Sequence, residues 1–315
     1  RGDSSAAEVP SAIVVSSNHA HHATVTTLRT ITGQGYRVAH GDTSSPIYSR
    51  IGPVTVTDTG SVLFVARSAE GAVLYNSRST TPIDGDLVPS APVIASKLGD
   101  RVAIAFAKVR SGYFEVDGKR YGPYSDIKAS QDSAEWIRFS QDGKHWGTFV
   151  KEAGSDWTLL IDGISRHQTY AEVVEVSFSP DGERAAYLTF EQDRSVSVHS
   201  GALAQENWSK LTVPGITRDG IIWSPNGKSV AFVASAPTIQ YLVINGERQA
   251  QHAGIGTAKQ IFSSDGRRHA YYALESAGNQ LVVDGKVTMK VAKRVGDYAF
   301  SPDGKLLALF QKDDP

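Results

Sequence analysis

The chain has 315 residues, of which 40% are hydrophobic and 21% charged, a composition that is typical of a folded protein and excludes a disordered one. Its 32 basic and 33 acidic side chains leave a formal charge of -1, without the basic excess of a nucleic-acid-binding protein. The absence of cysteine excludes disulfides and thiolate metal sites, and no apolar run approaches the roughly 18 residues that cross a bilayer. We therefore predict neither a nucleic-acid partner nor a membrane span.

Residues 1–11 are interpreted as an N-terminal segment, and residues 12–315 are predicted to form a single domain. The first seven residues lack Met and an apolar signal core, which is typical of a processed terminus and favours an exported protein. A strand near Ala7 to Pro10 is expected to pair with the C-terminal end of the chain, because closure of a ring of sheets hides their edges.

A repeated turn begins near Val15 and returns, in weak form, at residues 56–60 and 95–99. The first turn contains His19, His21 and His22. On a strand, His19 and His21 would point to one face and share a metal ion. We interpret the cluster as an exposed polar turn and keep a metal site as the weaker alternative.

From residue 139 onward the turn is regular. It consists of an aromatic residue, Ser, a variable residue, Asp or Asn, and Gly. The five copies are Phe139-Ser140-Gln141-Asp142-Gly143, Phe178-Ser179-Pro180-Asp181-Gly182, Trp223-Ser224-Pro225-Asn226-Gly227, Phe262-Ser263-Ser264-Asp265-Gly266 and Phe300-Ser301-Pro302-Asp303-Gly304. The aromatic positions lie 39, 45, 39 and 38 residues apart. Asp-Gly and Asn-Gly favour tight hairpins, so each copy predicts two antiparallel strands.

In five units, one of them the weak unit at residues 95–99, a second turn follows the first hairpin. It reads Asp117-Gly118, Asp162-Gly163, Asn245-Gly246 and Asp284-Gly285, and Gly201 is expected to be its counterpart 19 residues after Gly182. Four antiparallel strands in about 40 residues predict an all-β fold, a β-propeller of four-stranded blades. Seven units are complete and the eighth, at Phe300, stops after two strands. Eight blades with a composite last blade are favoured over seven.

The repeat resembles the TolB-type, WD40-like propeller repeats of bacterial envelope proteins, whose hallmark is the Phe-Ser-Pro-Asp-Gly turn seen at Phe178 and Phe300. The resemblance covers nearly the whole chain and is strongest from residue 136 to 310. It implies an exported protein that binds other proteins. The same repeat forms the non-catalytic propellers of prolyl-oligopeptidase-like enzymes. No functional residue carries over, since the matched positions are turn and core residues.

The tryptophans are predicted to be mostly structural. Trp223 occupies the aromatic position of the repeat and is expected in the core, and Trp136 and Trp157 are expected between blades. Trp208 falls outside the repeat. We interpret it as packed under its loop, with a partner-binding anchor as the alternative.

Two connections are longer than the rest. In compact units, 15 residues separate the glycine of the second turn from the aromatic residue of the next repeat. The separation is 21 residues from Gly118 to Phe139 and 22 residues from Gly201 to Trp223. Both insertions are predicted to lie between the fourth strand of one blade and the first strand of the next, on one face. We hypothesise that this face contacts a partner through Lys128, Gln131, Asp132, Glu135, Gln205, Trp208, Lys210 and Arg218.

The sequence contains no nucleophile motif and no metal motif with credible spacing, so no catalytic residue and no cofactor are predicted. The leading hypothesis is a non-catalytic protein-binding or scaffolding propeller in the periplasm or exterior of a bacterium. The alternatives are the propeller portion of a larger prolyl-oligopeptidase-like enzyme, or a propeller enzyme with a site in the central channel.

Overall fold

The computed structural model describes residues 9–30, 33–77, 79–87, 91–97, 99–108, 111–128, 135–216, 220–256, 261–291 and 295–311. Regular structure in these ranges is entirely β-strand, and they contain no helix long and apolar enough to cross a membrane. The chain divides into two compact units, residues 1–169 and 170–315, which are described in turn.

The first unit holds four sheets. Sheet 1 contains β1 (Val9–Val15), β2 (His22–Thr30), β3 (Gly33–His40) and β4 (Thr43–Ser44). Sheet 2 contains β5 (Arg50–Ile51), β6 (Thr55–Val56), β7 (Val62–Arg67), β8 (Ala72–Asn76) and β9 (Ser79–Ile83). Sheet 3 contains β10 (Asp86–Leu87), β11 (Ile94–Ala95), β12 (Val102–Lys108), β13 (Ser111–Val116) and β14 (Lys119–Tyr124). Sheet 4 contains β15 (Asp126–Ile127), β16 (Arg138–Phe139), β17 (Trp146–Lys151), β18 (Trp157–Ile161) and β19 (Ile164–Tyr170).

The second unit holds three further sheets and a pair of strands. Sheet 5 contains β20 (Glu172–Phe178), β21 (Arg184–Phe190), β22 (Val196–Ala202) and β23 (Ser209–Val213). Sheet 6 contains β24 (Ile222–Trp223), β25 (Val230–Ser235), β26 (Gln240–Ile244) and β27 (Glu247–His252). Sheet 7 contains β28 (Gly254–Gly256), β29 (Ala270–Leu274), β30 (Asn279–Val283) and β31 (Lys286–Val291), and the final pair is β32 (Val295–Phe300) with β33 (Leu307–Gln311).

Within each sheet the strands pair in chain order and antiparallel, as in a propeller blade. In sheets 2, 3 and 4 the first strand is split into two short segments that pair with the same second strand. The β-propeller fold class is therefore confirmed. Val9 and Pro10 pair with Thr27 and Thr26 inside sheet 1. Closure by the N-terminal segment, and with it the choice between seven and eight blades, stays a prediction.

The second strands of sheets 2 and 7 each pack against both neighbouring sheets, because their side chains alternate between two faces. In β7, Phe64 belongs to a core cluster with Val25 and Val38 of sheet 1. Its neighbours in the strand, Leu63 and Val65, instead pack with residues of sheet 3. In the second unit, β29 likewise divides its side chains between a cluster with sheet 6 and one with the final pair. Such two-sided burial explains why these strands are nearly continuous apolar runs.

Four of the five regular turns are held by a buried serine hydroxyl. The serines of four copies, Ser140, Ser179, Ser224 and Ser263, are at most 1% exposed. Their Oγ atoms accept a hydrogen bond at 2.8–3.0 Å from the backbone N–H five residues on. They donate at 2.6–2.8 Å to the Oδ1 atom of the Asp or Asn two residues on. The hydroxyl thus has partners in both directions, as a buried polar group requires.

Two sequence predictions about the second unit are wrong. Gly201 lies inside β22 and not in a turn, because this sheet's third strand extends to Ala202. Trp223 is half-buried and does not belong to the fully buried core. Trp136 is 4% exposed and packs with Phe114 of sheet 3, as predicted. Trp157 is 8% exposed, and its position between blades stays a prediction.

The turn glycines set how closely adjacent blades approach. Gly227 has a φ of +71°, and a Cβ added there would overlap the Asp181 carboxylate of the preceding blade. Gly246 has a φ of +86° with nothing within 4 Å of its added Cβ.

We expect Gly246→Ala to cost about 1–2 kcal/mol from the left-handed backbone alone. Gly227→Ala should cost at least about 1 kcal/mol more, measured as the free energy of unfolding in urea. Equal losses in the two variants would contradict close packing between these turns.

Candidate functional site

The first predicted insertion interrupts a strand and does not connect two blades, so that prediction is wrong. Asp126 and Ile127 already pair with Lys151 and Val150, so the chain joins sheet 4 before the insertion begins. Lys128 then donates its N–H to Phe149 O at 3.0 Å and lies over the Trp157 ring at 5.6 Å. Glu135, at the far end, forms an ion pair with Arg138 at 3.1 Å. Gln131 and Asp132 lie outside the described residues.

The second insertion is also placed differently from the prediction. Gln205 and Trp208 lie in the hairpin between the third and fourth strands of sheet 5, and Lys210 lies on the fourth strand. Arg218 is outside the described residues. The predicted pair of inter-blade insertions is therefore not what the structure contains. A role for these residues in partner binding stays a prediction.

Trp208 closes its own hairpin. Its indole N–H is shared between Ala202 O at 3.0 Å and Gln205 O at 3.1 Å. The ring lies against Gly201, where an added Cβ would overlap it, and its centroid is 5.7 Å from that of Tyr187. This favours the interpretation of Trp208 as packed under its loop.

Lys210 lies beside a buried histidine. Its ammonium group pairs with Glu191 at 2.7 Å, and across the strands it is opposite His199. His199 is 3% exposed and stacks on Tyr187 with ring centroids 4.4 Å apart. Burial, with a smaller contribution from the charge of Lys210, lowers the pKa of His199 to about 4. The imidazole is therefore neutral at pH 7.

The histidine cluster of the first turn does not have the geometry that a shared metal requires. His19 is in the turn itself, with a φ of +60°, and only His22 belongs to a strand. All three side chains are exposed. The described residues contain no group of three or more His, Asp or Glu side chains placed to hold a metal ion.

A cavity of about 380 Å³ lies among the repeated turns of the second unit. Its wall consists of Pro180, Ile222, Trp223, Pro225, Ile261, Phe262 and Ser264, and we call it the Trp223 cavity. The Trp223 indole N–H donates to Ser177 Oγ at 3.1 Å, so the ring offers the cavity only its apolar surface. The two prolines have no N–H to satisfy and are conformationally stiff. The wall therefore suits an apolar side chain.

The same position in the first unit holds a cavity of about 340 Å³ with a different wall, which we call the Asp58 cavity. Here Val56 and Ala95 stand where Trp223 and Phe262 stand in the repeat, and Asp58 and Lys97 replace Pro225 and Ser264. Hydrogen bonds from Ser17 Oγ at 2.7 Å and Asn18 N–H at 2.9 Å hold the pKa of Asp58 below its usual value.

These cavities were not predicted from the sequence, because the aromatic and proline positions of the repeat are also the residue types expected in a core and a turn. The sequence signal for the cavities is the type of residue that follows the repeated serine, or Thr57 at that position. That residue is Ser17, Asp58 or Lys97 in the first unit and Pro180, Pro225 or Ser264 in the second. Of the predicted partner-binding residues, Glu135 lines the Asp58 cavity.

No protein-family model matches the chain, and no curated protein sequence does either. Solved structures similar to it include TolB from Acinetobacter baumannii, with 15% identity and a TM-score of 0.34, over 78% of this chain. The chain spans 62% of that protein's length. The Dos1 propeller has 11% identity and a TM-score of 0.43 over 97% of this chain and 90% of its own. A prolyl endopeptidase has 12% identity and a TM-score of 0.41 over 97% of this chain and 50% of its own.

The neutral, buried His199 predicts a loss of stability in acid. Its pKa is about 4 in the folded chain and about 6.5 unfolded, so the unfolded chain takes up the proton first as the pH falls. Its contribution is complete above pH 6.5 and is lost between pH 6.5 and 4, by up to roughly 3 kcal/mol. His199→Gln should lose less unfolding free energy between pH 7 and 4.5 than the wild type. Identical losses in the two proteins would show that the fold does not lower the pKa of His199.

Proposed function

We propose that this protein is a non-catalytic, protein-binding β-propeller of the bacterial cell envelope or exterior. The Trp223 cavity carries the proposal. Its wall presents Trp, Phe, Ile and Pro side chains, and none of its residues has a side chain that titrates near neutral pH. Rigid aromatic and proline surfaces of this kind anchor apolar side chains of polypeptides at low entropic cost.

The volume of about 380 Å³ supports a polypeptide ligand that inserts one or two side chains. The indole N–H of Trp223 is already bonded to Ser177, so an apolar group entering the cavity leaves no buried donor without a partner. The resemblance of the repeat to TolB-type envelope propellers supports the location outside the cytoplasm.

Photo-crosslinking at the cavity tests the proposal. With p-benzoylphenylalanine at Pro225, which lines the cavity, we expect a discrete crosslinked polypeptide in the envelope fraction or medium of the native cells. The companion change Trp223→Ala should weaken binding by about 2 kcal/mol, roughly thirtyfold, and remove most of the product.

Two controls isolate the cavity. The crosslinker at Ile164, an exposed position in the first unit, should give no such product. Phe139→Ala removes the half-buried aromatic of another repeat and should leave the product at Pro225 unchanged. The same product from Ile164, or a product at Pro225 that survives Trp223→Ala, would contradict the proposed site.

A further inference from the structure

Three arginines occupy the same position of the repeat. Arg101, Arg184 and Arg268 each stand five residues after the repeated serine. In all three, the backbone N–H donates to that serine's Oγ, at 3.0–3.2 Å. The three side chains therefore start from equivalent backbone positions.

Arg101 clamps two adjacent sheets. Its Nε donates to the Asp117 carboxylate of its own sheet at 2.7 Å. Its Nη1 donates to two carbonyls of the next turn, Gly143 O at 3.0 Å and Lys144 O at 2.7 Å. The guanidinium also lies over the Phe139 ring, 5.5 Å from its centroid. The charge of Arg101 is thus fully accommodated within the chain.

Arg268 repeats each of these contacts. Its Nε donates to Asp284 at 2.9 Å, and its Nη1 donates to Gly304 O and Lys305 O, both at 3.2 Å. Its guanidinium lies 5.6 Å from the centroid of the Phe300 ring. Two occurrences in different units establish this clamp as the ordinary state of the position.

Arg184 has lost the carboxylate of the clamp. Ala185 and His269 each stand six residues after the repeated serine of their own turn. His269 lies opposite Asp284, whereas Ala185 lies opposite Gly201. Gly201 has no side chain, and the Trp208 ring occupies the adjacent space. Within the described part of the chain no carboxylate pairs with Arg184, and its Nε is buried without a hydrogen-bond partner. The turn's own carboxylate, Asp181, instead accepts from Ser179 Oγ and Glu183 N–H.

A partly buried guanidinium without a counter-ion has lost part of its hydration and has no protein interaction in its place. An anion that reaches the guanidinium restores such an interaction and therefore binds more tightly. The two equivalent arginines, Arg101 and Arg268, each pair with a carboxylate. Their pairing indicates that the anion suited to Arg184 is also a carboxylate. The backbone of Arg184 is bonded to that of Ser179, next to Pro180 in the wall of the Trp223 cavity.

We propose that Arg184 binds a side-chain carboxylate of the partner polypeptide whose apolar side chain enters the Trp223 cavity. This inference rests on the proposed function and specifies its ligand as an acidic segment with an adjacent large apolar residue. The ligand's Asp or Glu supplies Arg184 with the counter-ion that Arg101 and Arg268 find within the chain.

A phage-displayed random dodecapeptide library, selected on the full chain, tests the inference. We expect selected peptides to carry Asp or Glu next to Trp, Phe, Leu or Ile. By fluorescence anisotropy, Arg184→Gln should weaken their binding about ten- to a hundredfold. Changing the peptide's acidic residue to its amide should weaken wild-type binding equally and leave binding to Arg184→Gln unchanged. Arg101→Gln, which breaks the internal clamp in the other unit, should change affinity less than twofold.

A second variant covers the case in which Arg184→Gln does not fold. Gly201→Asp with Trp208→Ala places a carboxylate where Asp284 stands in sheet 7, and should reduce acidic-peptide binding by a similar factor. Selected peptides without acidic residues, or full affinity in either Arg184→Gln or the double variant, would overturn the carboxylate site and leave the protein-binding function intact. Peptides that bind Trp223→Ala as well as wild type would overturn both.

Discussion

The buried serine hydroxyl of the repeated turn is the interaction on which the rest of the structure depends. In each regular copy it joins the end of the first strand to the start of the second through one accepted and one donated hydrogen bond. Without the hydroxyl, the backbone N–H that it accepts from would lose its partner beside a buried position, at a cost of about 1–3 kcal/mol. In the second unit, the side chains of Asp181, Asn226 and Asp265 lie against the glycine of the next turn, so successive hairpins support one another.

This framework separates constant positions from variable ones. Serine and glycine are needed in every regular turn, whereas the aromatic position and the residue after the serine are free to differ. Those two positions line the cavities between neighbouring first strands. They produce a wall of Trp, Phe and Pro in the second unit and a wall with Asp58 and Lys97 in the first. The proposed recognition site therefore lies in the repeat itself and not in the irregular connections alone.

The spacing of the turns was enough to predict antiparallel sheets whose strands pair in chain order, because hairpin dipeptides are local signals. It was not enough to place Gly201, since sheet 5 has a longer second hairpin whose register depends on pairing across strands. The insertion after Lys128 was misplaced because the two-residue segment β15 is too short to be recognised from its sequence. The cavities arise from contacts between adjacent blades, on which a single repeat carries no information. The unpaired state of Arg184 arises from the pairing of Ala185 with Gly201 inside sheet 5, which follows from the same unpredicted register.

Amide hydrogen exchange tests the turn framework most directly. The N–H groups of His145, Arg184, Ser229 and Arg268 follow hairpin turns, where exchange is ordinarily fast, but each is bonded to a buried serine Oγ. We predict that they exchange as slowly as the central strand amides of Phe149, Leu188, Phe232 and Tyr272. Exchange of these four amides at the rate of exposed loops, with the central strands still protected, would contradict the account.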